Sequence, residues 1–138
     1  MSDSRAAIIG WTGLIGGNLL DQYKKKFDII DLFNSKNINK INKKIKYDVV
    51  FCAALPATKW LANKAPLKDK KNTQKLIKNI RKINTKKFLL ISTIDVNFKH
   101  AYGQNRRILE KFVKKKFIKS YILRLPGVFG KGLKKNII

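Results

Sequence analysis

The sequence predicts an α/β fold: a doubly wound parallel sheet of about five strands with helices on both faces. Three observations carry this expectation. Short apolar runs alternate along the chain with segments of helical periodicity. The runs are apolar almost without interruption, as strands buried on both faces are. The first run enters a glycine-punctuated turn, and an amphipathic segment leaves it, which is the strand–turn–helix unit of such sheets.

Each element follows from a local signal. Residues 5–10 form the first expected strand, and residues 13–25 the first helix. There Leu14, Ile15, Leu19, Leu20 and Tyr23 recur at helical spacing, and the lysines at the end suit a helix C-terminus. Residues 28–33 are a second apolar run that ends at Asn34-Ser35. Residues 36–46 are rich in Asn and Lys and predict a loop or a short irregular element. Residues 47–54 form the third strand, closed by Pro56. Residues 69–84 are helical, with Leu76, Ile77, Ile80 and Ile83 on one face and Lys71, Lys75, Lys78 and Lys82 on another. The fourth strand spans 88–93. A helix over 102–116 turns Leu109, Phe112 and Val113 inward, and a fifth strand over 120–125 stops at Pro126-Gly127. With no repeat or linker, residues 1–138 are expected to form one domain.

Composition narrows the class. With 138 residues of which 44% are hydrophobic, the chain has material for a core and is not compositionally disordered. No run reaches the roughly 20 apolar residues of a membrane span, and the first residues lack the apolar centre of a signal peptide. The single cysteine, Cys52, excludes an internal disulfide and fits a buried small hydrophobe. A cytoplasmic location is the expectation. The net charge of +24 attracts anions. The lysines are spread along the chain, however, and the aromatics do not interleave with them as a single-strand platform requires. A solvated basic surface that helps to capture nucleotides is favoured over nucleic-acid binding. His100, the only histidine, has no companions at metal-ligand spacing, so no metal is expected.

Two groups of residues carry chemistry. Gly10, Gly13 and Gly16 recur at i, i+3 and i+6 between strand and helix. Such a turn lets a phosphate approach the backbone where the helix presents free N–H groups and the positive end of its dipole. Tyr102 and Arg106 stand at i and i+4 on one helix, with the hydroxyl of Thr93 shortly before them. A fixed cation beside a phenol favours the phenolate, and a nearby hydroxyl can share its proton. Together these groups can move a proton while a nicotinamide moves a hydride.

Four blocks in chain order resemble the extended short-chain dehydrogenase/reductases, which include NAD(P)-dependent nucleotide-sugar epimerases and dehydratases. Gly10-Trp11-Thr12-Gly13-Leu14-Ile15-Gly16 is similar to the family's phosphate loop. Asp48-Val49-Val50-Phe51-Cys52-Ala53-Ala54 is similar to a strand that ends in small residues beside the cofactor. Phe88 to Val96, followed by Tyr102-Gly103-Gln104-Asn105-Arg106, is similar to the hydroxyl strand and the tyrosine helix. Leu123-Arg124-Leu125-Pro126-Gly127-Val128-Phe129-Gly130 is similar to the strand and loop over the nicotinamide. The resemblance implies a Rossmann-like fold and a bound NAD or NADP. It implies a nucleotide sugar or related carbohydrate as substrate. Thr93 would be the catalytic hydroxyl, Tyr102 the general acid/base, and Arg106 would take the place of the family's lysine. The cofactor would meet residues Gly10 through Gly16, then Asn34, Ser35 and Lys36, then Ala53, Ala54, Leu55 and Pro56. It would also meet Tyr102, Arg106, Pro126, Gly127, Val128 and Phe129. A homodimer through 69–84 and 102–116 follows by the same analogy.

The departures are specific. Arg106 keeps the charge of the family's lysine but not its point geometry. Ile94-Asp95 stands where the 4,6-dehydratases carry Asp-Glu, which argues against that dehydration; Asp95 is either an acid/base or an exposed loop carboxylate. The connection 34–47 is short enough to lack a strand and helix, and the substrate-binding part would lie beyond residue 138. Asn34, Ser35 and Lys36 put no acid at the end of the second strand, which favours NADP over NAD. The alternatives are a non-catalytic NAD(P)-binding module or truncated remnant, and a basic nucleic-acid-binding protein.

Overall fold

The computed structural model describes residues 3–54 and 63–125. The described residues contain five strands: β1 (Arg5–Ile9), β2 (Ile29–Phe33), β3 (Lys46–Cys52), β4 (Asn84–Thr93) and β5 (Ser120–Leu125). Among the described residues three helices accompany them: α1 (Leu14–Tyr23), α2 (Pro66–Ile80) and α3 (Ala101–Lys116). The strands form one sheet in the order β2-β1-β3-β4-β5, and every pairing is parallel. This is the doubly wound sheet expected from the apolar runs.

Alternation along the strands divides the molecule into two layers around the sheet. Ala7 and Ile9 of β1, Val50 and Cys52 of β3, and Phe88 and Leu90 of β4 join one apolar cluster with Leu76, Ile77 and Ile80 of α2 and Leu109 and Val113 of α3. The opposite face of β3 meets α1, where the Tyr23 ring lies 4.9 Å from that of Phe51. Ile8, Ile9, Val50, Cys52, Ile80, Phe88 and Val113 are completely buried. Burial pushes the Cys52 thiol up to about 12, so this cysteine is an inert core residue. Beyond the reach of α1 the same face turns outward: Tyr121 and Leu123, paired with Leu89 and Ile91, are about half exposed.

Several boundaries differ from expectation for physical reasons. The first helix stops at Tyr23, where the Lys24 and Lys26 N–H groups donate to the Leu20 and Tyr23 carbonyls. The lysines expected in its last turn therefore lie in the turn that follows. The second helix begins earlier, at Pro66, a residue suited to the first helical turn. β4 extends back to Asn84, because its exposed polar start pairs with Lys46 and Tyr47 of β3. The 34–47 connection contains only a 3₁₀ turn, Ile38–Lys40, whose Ile38 is buried together with Ile41. No additional strand and helix are inserted there. The chain passes from β1 to β2 on one side and on to β3 at the other side of β1. A crevice therefore opens at the carboxyl ends of β1 and β3, the topological switch point.

Candidate functional site

The glycine turn sits at this switch point, and its three glycines have different surroundings. Gly10 has φ +88°, and a Cβ there would lie 2.4 Å from the Ala53 carbonyl oxygen. A Cβ on Gly16 would lie 1.9 Å from the Gly10 carbonyl oxygen. Those two positions therefore require glycine for the close approach of β1, β3 and α1. At Gly13 the nearest such contact is 3.6 Å, ordinary van der Waals distance. Gly13 is exposed and is the N-cap of α1; no side chain caps that helix, and no acid stands in its first turn. Its first N–H groups and the positive end of its dipole are thus available to an anion.

A cleft of about 490 Å³ opens over this turn. Its floor is Ile9, Gly10, Thr12, Gly13, Leu14 and Ile15 with Ala53 and Ala54. One wall is Asn34, Ser35 and Ile38 after β2; the other is Asn72, Lys75, Leu76 and Asn79 of α2. The β2 end is held by its own side chains. Asn34 Oδ1 accepts from the Lys36 N–H at 2.9 Å, Asn37 Oδ1 accepts from the Asn34 N–H at 2.7 Å, and Asn37 Nδ2 donates to the Leu32 carbonyl at 3.0 Å. Asp31, the carboxylate inside β2, is engaged elsewhere: it accepts from Arg5 Nε at 2.9 Å and from the Tyr47 hydroxyl at 2.6 Å. Burial and that carboxylate hold the Tyr47 phenol above its ordinary range. The mouth of the cleft beside β2 thus carries no acid among its described lining residues.

The second constellation lies at the carboxyl end of β4 and the start of α3. Thr93 Oγ1 donates to Asp95 Oδ2 at 3.0 Å and accepts from the Asp95 N–H at 3.2 Å. Asp95 Oδ1 lies 3.5 Å from His100 Nε2. His100 Nδ1 accepts from the Gly103 N–H at 3.0 Å and so caps α3. Asp95 is therefore not an exposed loop carboxylate: its side chain is 15% exposed and ties the β4 end to the helix cap. Tyr102 is buried at the first turn of α3, with the Arg106 guanidinium 4.5 Å from its ring centroid. Arg106 is buried as well, and its Nη2 lies 3.5 Å from Asp69 of α2. Asp69 also accepts from Asn105 Nδ2 at 2.6 Å. Arg106 thus joins α3 to α2 underneath the tyrosine ring, as a cation–π partner and an ion pair at once.

One more ion pair, between buried Glu110 and exposed Arg124, fixes α3 on the sheet. Glu110 accepts from the Ser92 hydroxyl at 2.7 Å and from Arg124 Nε and Nη2 at 3.1 and 2.7 Å. Burial opposes ionisation of this carboxyl, but the Arg124 and Ser92 hydrogen bonds and the Arg124 charge outweigh it and hold its pKa below the ordinary range.

The structure brings Gly10, Thr12, Gly13, Leu14, Ile15, Asn34, Ser35, Ala53 and Ala54 to one cleft. Trp11, Gly16, Lys36, Thr93, Tyr102 and Arg106 are outside its described lining; Gly16 is packed beneath the turn and Lys36 is exposed. Leu55, Pro56, Pro126, Gly127, Val128 and Phe129 lie outside the described residues. Sequence reasoning missed the α2 wall. Asn72, Lys75 and Asn79 recur at helical spacing, but Lys75 belonged to a lysine stripe that looked like a solvated face. It also missed the role of Asp69, which depends on helix-to-helix distance, and that of His100, a local cap of α3 three residues before Gly103. Among the described residues no group of three or more His, Cys, Asp and Glu could hold a metal ion. No described helix is long and apolar enough to cross a membrane.

No family model matches the sequence, and no curated protein matches it. Solved structures do match the fold. A dTDP-4-dehydrorhamnose reductase from Bacillus anthracis, in complex with NADP, aligns with TM-score 0.77 at 18% identity, over 97% of this chain and 57% of that one. An NAD-dependent NDP-hexosamine 5,6-dehydratase of tunicamycin biosynthesis aligns with TM-score 0.78 at 16% identity, over 97% and 58%. A UDP-N-acetylglucosamine 4-epimerase from Methanobrevibacter ruminantium, in complex with UDP-N-acetylmuramic acid, aligns with TM-score 0.76 at 19% identity, over 99% and 59%. The chain therefore spans less than two thirds of the length of each. At these identities the likeness establishes the fold: this chain is a Rossmann-like α/β domain of the kind found in nucleotide-sugar reductases, dehydratases and epimerases.

Proposed function

We propose that this chain is the NAD(P)-binding part of an extended short-chain dehydrogenase/reductase acting on a nucleotide sugar or related carbohydrate. The observation that carries the reading is the uncapped N-terminus of α1 opening on the 490 Å³ cleft at the β1/β3 switch point. The fit is chemical as well as topological. The N–H groups of Leu14, Ile15 and Gly16, in the first turn of α1, would hold the pyrophosphate, and Gly13 leaves room for it. Ile9, Ile38 and Leu76 give apolar surface for a base and sugar. The bound nicotinamide supplies or accepts a hydride.

In this reading Tyr102 donates or accepts the proton at the sugar oxygen. Arg106 sets the electrostatics under the ring and locks α3 against α2. Thr93, oriented by Asp95, supplies the second hydroxyl. Tyr102→Phe removes one oxygen and leaves the cleft intact. Turnover of a keto-sugar nucleotide is then expected to fall by about 10²-fold or more, with NAD(P)H affinity unchanged. Equal turnover removes Tyr102 from the mechanism. The non-catalytic reading rests on one observation: Arg106 is buried and its Nη2 lies against Asp69 of α2. It predicts cofactor binding with no turnover in wild type.

The proposal includes a homodimer through the outer faces of α2 and α3, where Leu67 and Ile108 are exposed among lysines. Like charges on these faces oppose association, so the dimer is expected to strengthen as ionic strength rises. A monomer by light scattering at every salt concentration removes it.

A further inference from the structure

Lys75 is the one formally charged residue among the described residues that line the cleft. It stands on α2 with Asn72 and Asn79, one helical turn to either side, and the three share a wall. Asn79 Nδ2 donates to the Lys75 carbonyl at 3.0 Å. Across the cleft are Asn34 and Ser35, at the end of β2. In a sheet of this winding the end of the second strand is where the ribose 2′ position of a dinucleotide lies once its pyrophosphate is on the first helix.

The groups present there favour an anion over a free hydroxyl. A carboxylate would accept from the 2′-hydroxyl, but Asp31 is turned to Arg5 and Tyr47. Asn34 Oδ1 is taken by the Lys36 N–H. A cation on the facing wall has no acid beside it in the described lining, so its charge is available to a ligand. Both Lys36 and Lys75 are exposed on the protein surface, but Lys36 lies outside the cleft lining and is the weaker candidate.

We propose that Lys75, reaching across the cleft from α2, is the residue that selects a 2′-phosphorylated dinucleotide over its 2′-hydroxyl form. This rests on the NAD(P)-binding reading. A flexible ammonium on a helix suits the task, because it can follow a phosphate as a point charge without a fixed fork geometry.

The test is a fluorescence titration of NADPH and NADH at low salt with the full chain, as wild type, Lys75→Gln, Lys75→Arg and Lys36→Gln, each checked for an unchanged thermal melt. Wild type is expected to bind NADPH more tightly. Lys75→Gln is expected to weaken NADPH by about tenfold, the scale of one charge-assisted hydrogen bond, and to leave NADH within about twofold. Lys75→Arg restores most of the NADPH affinity, and Lys36→Gln leaves both nearly unchanged. An equal loss for both nucleotides, no loss for either, or a loss that follows Lys36 overturns the assignment of Lys75. Failure of wild type to bind either nucleotide overturns the NAD(P) reading itself, and Lys75 with it.

Discussion

Gly13 and Gly16 stand three residues apart in one turn and have separable roles. Gly16 is required by packing, since its α-carbon faces the Gly10 carbonyl at a distance that no side chain tolerates. Gly13 faces the cleft and touches nothing closely. Gly16→Ala is therefore expected to destabilise the fold by about 1–3 kcal/mol, as overpacking does, seen as a lower denaturation midpoint. Gly13→Val is expected to lower stability by no more than about 1 kcal/mol, the scale of a poorer N-cap residue, and to lose nucleotide binding. A Gly13 variant that unfolds while Gly16→Ala is neutral would reverse this division. The sequence motif shows three equivalent glycines; their difference depends on which backbone passes beneath each. Tyr102 and Arg106 show the same limit. Their i, i+4 spacing was legible, but the turn of Arg106 toward Asp69 was not, because Asp69 lies 37 positions away on another helix.

At the scale of elements, α3 is held by charge as much as by apolar burial. Its inner face carries Leu109 and Val113, and Glu110 is buried beside them against β4 and β5. The folded pKa of Glu110 is lowered, so its contribution is fully present above the ordinary carboxyl range near ~4.3 and is lost as pH falls through the folded value. Glu110→Gln should consequently melt at lower temperature near neutral pH, yet lose less stability than wild type on acidification from about pH 5 to pH 3. Parallel acid profiles for the two proteins would assign the acid sensitivity to other carboxylates. The strands were legible because each is a nearly unbroken apolar run. The polar start of β4 was not, since Asn84 to Lys87 form the solvent-facing end of an interior strand, where sequence gives no hydrophobic signal. Pro66 likewise extends α2 past the point where apolar periodicity begins.

For the whole molecule, the order β2-β1-β3-β4-β5 explains why a chain with so few acids still has a defined site. The net charge of +24 is spread over an exterior of lysines, while the cleft itself contains a single described cation and is otherwise neutral. General charge raises the local concentration of any nucleotide, whereas the helix N-terminus and the cleft decide which part of it is held. The two contributions separate by salt. Attraction to the basic exterior falls steeply with ionic strength, and a polynucleotide held in that way would follow it. A dinucleotide site at the α1 N-terminus is tested by titration of NADPH and NADH into wild type and Gly13→Val. Saturable one-to-one binding to wild type is expected, persisting at moderate salt and lost in the folded Gly13 variant. Absence of saturable binding to wild type, or equal binding to both proteins, would contradict it.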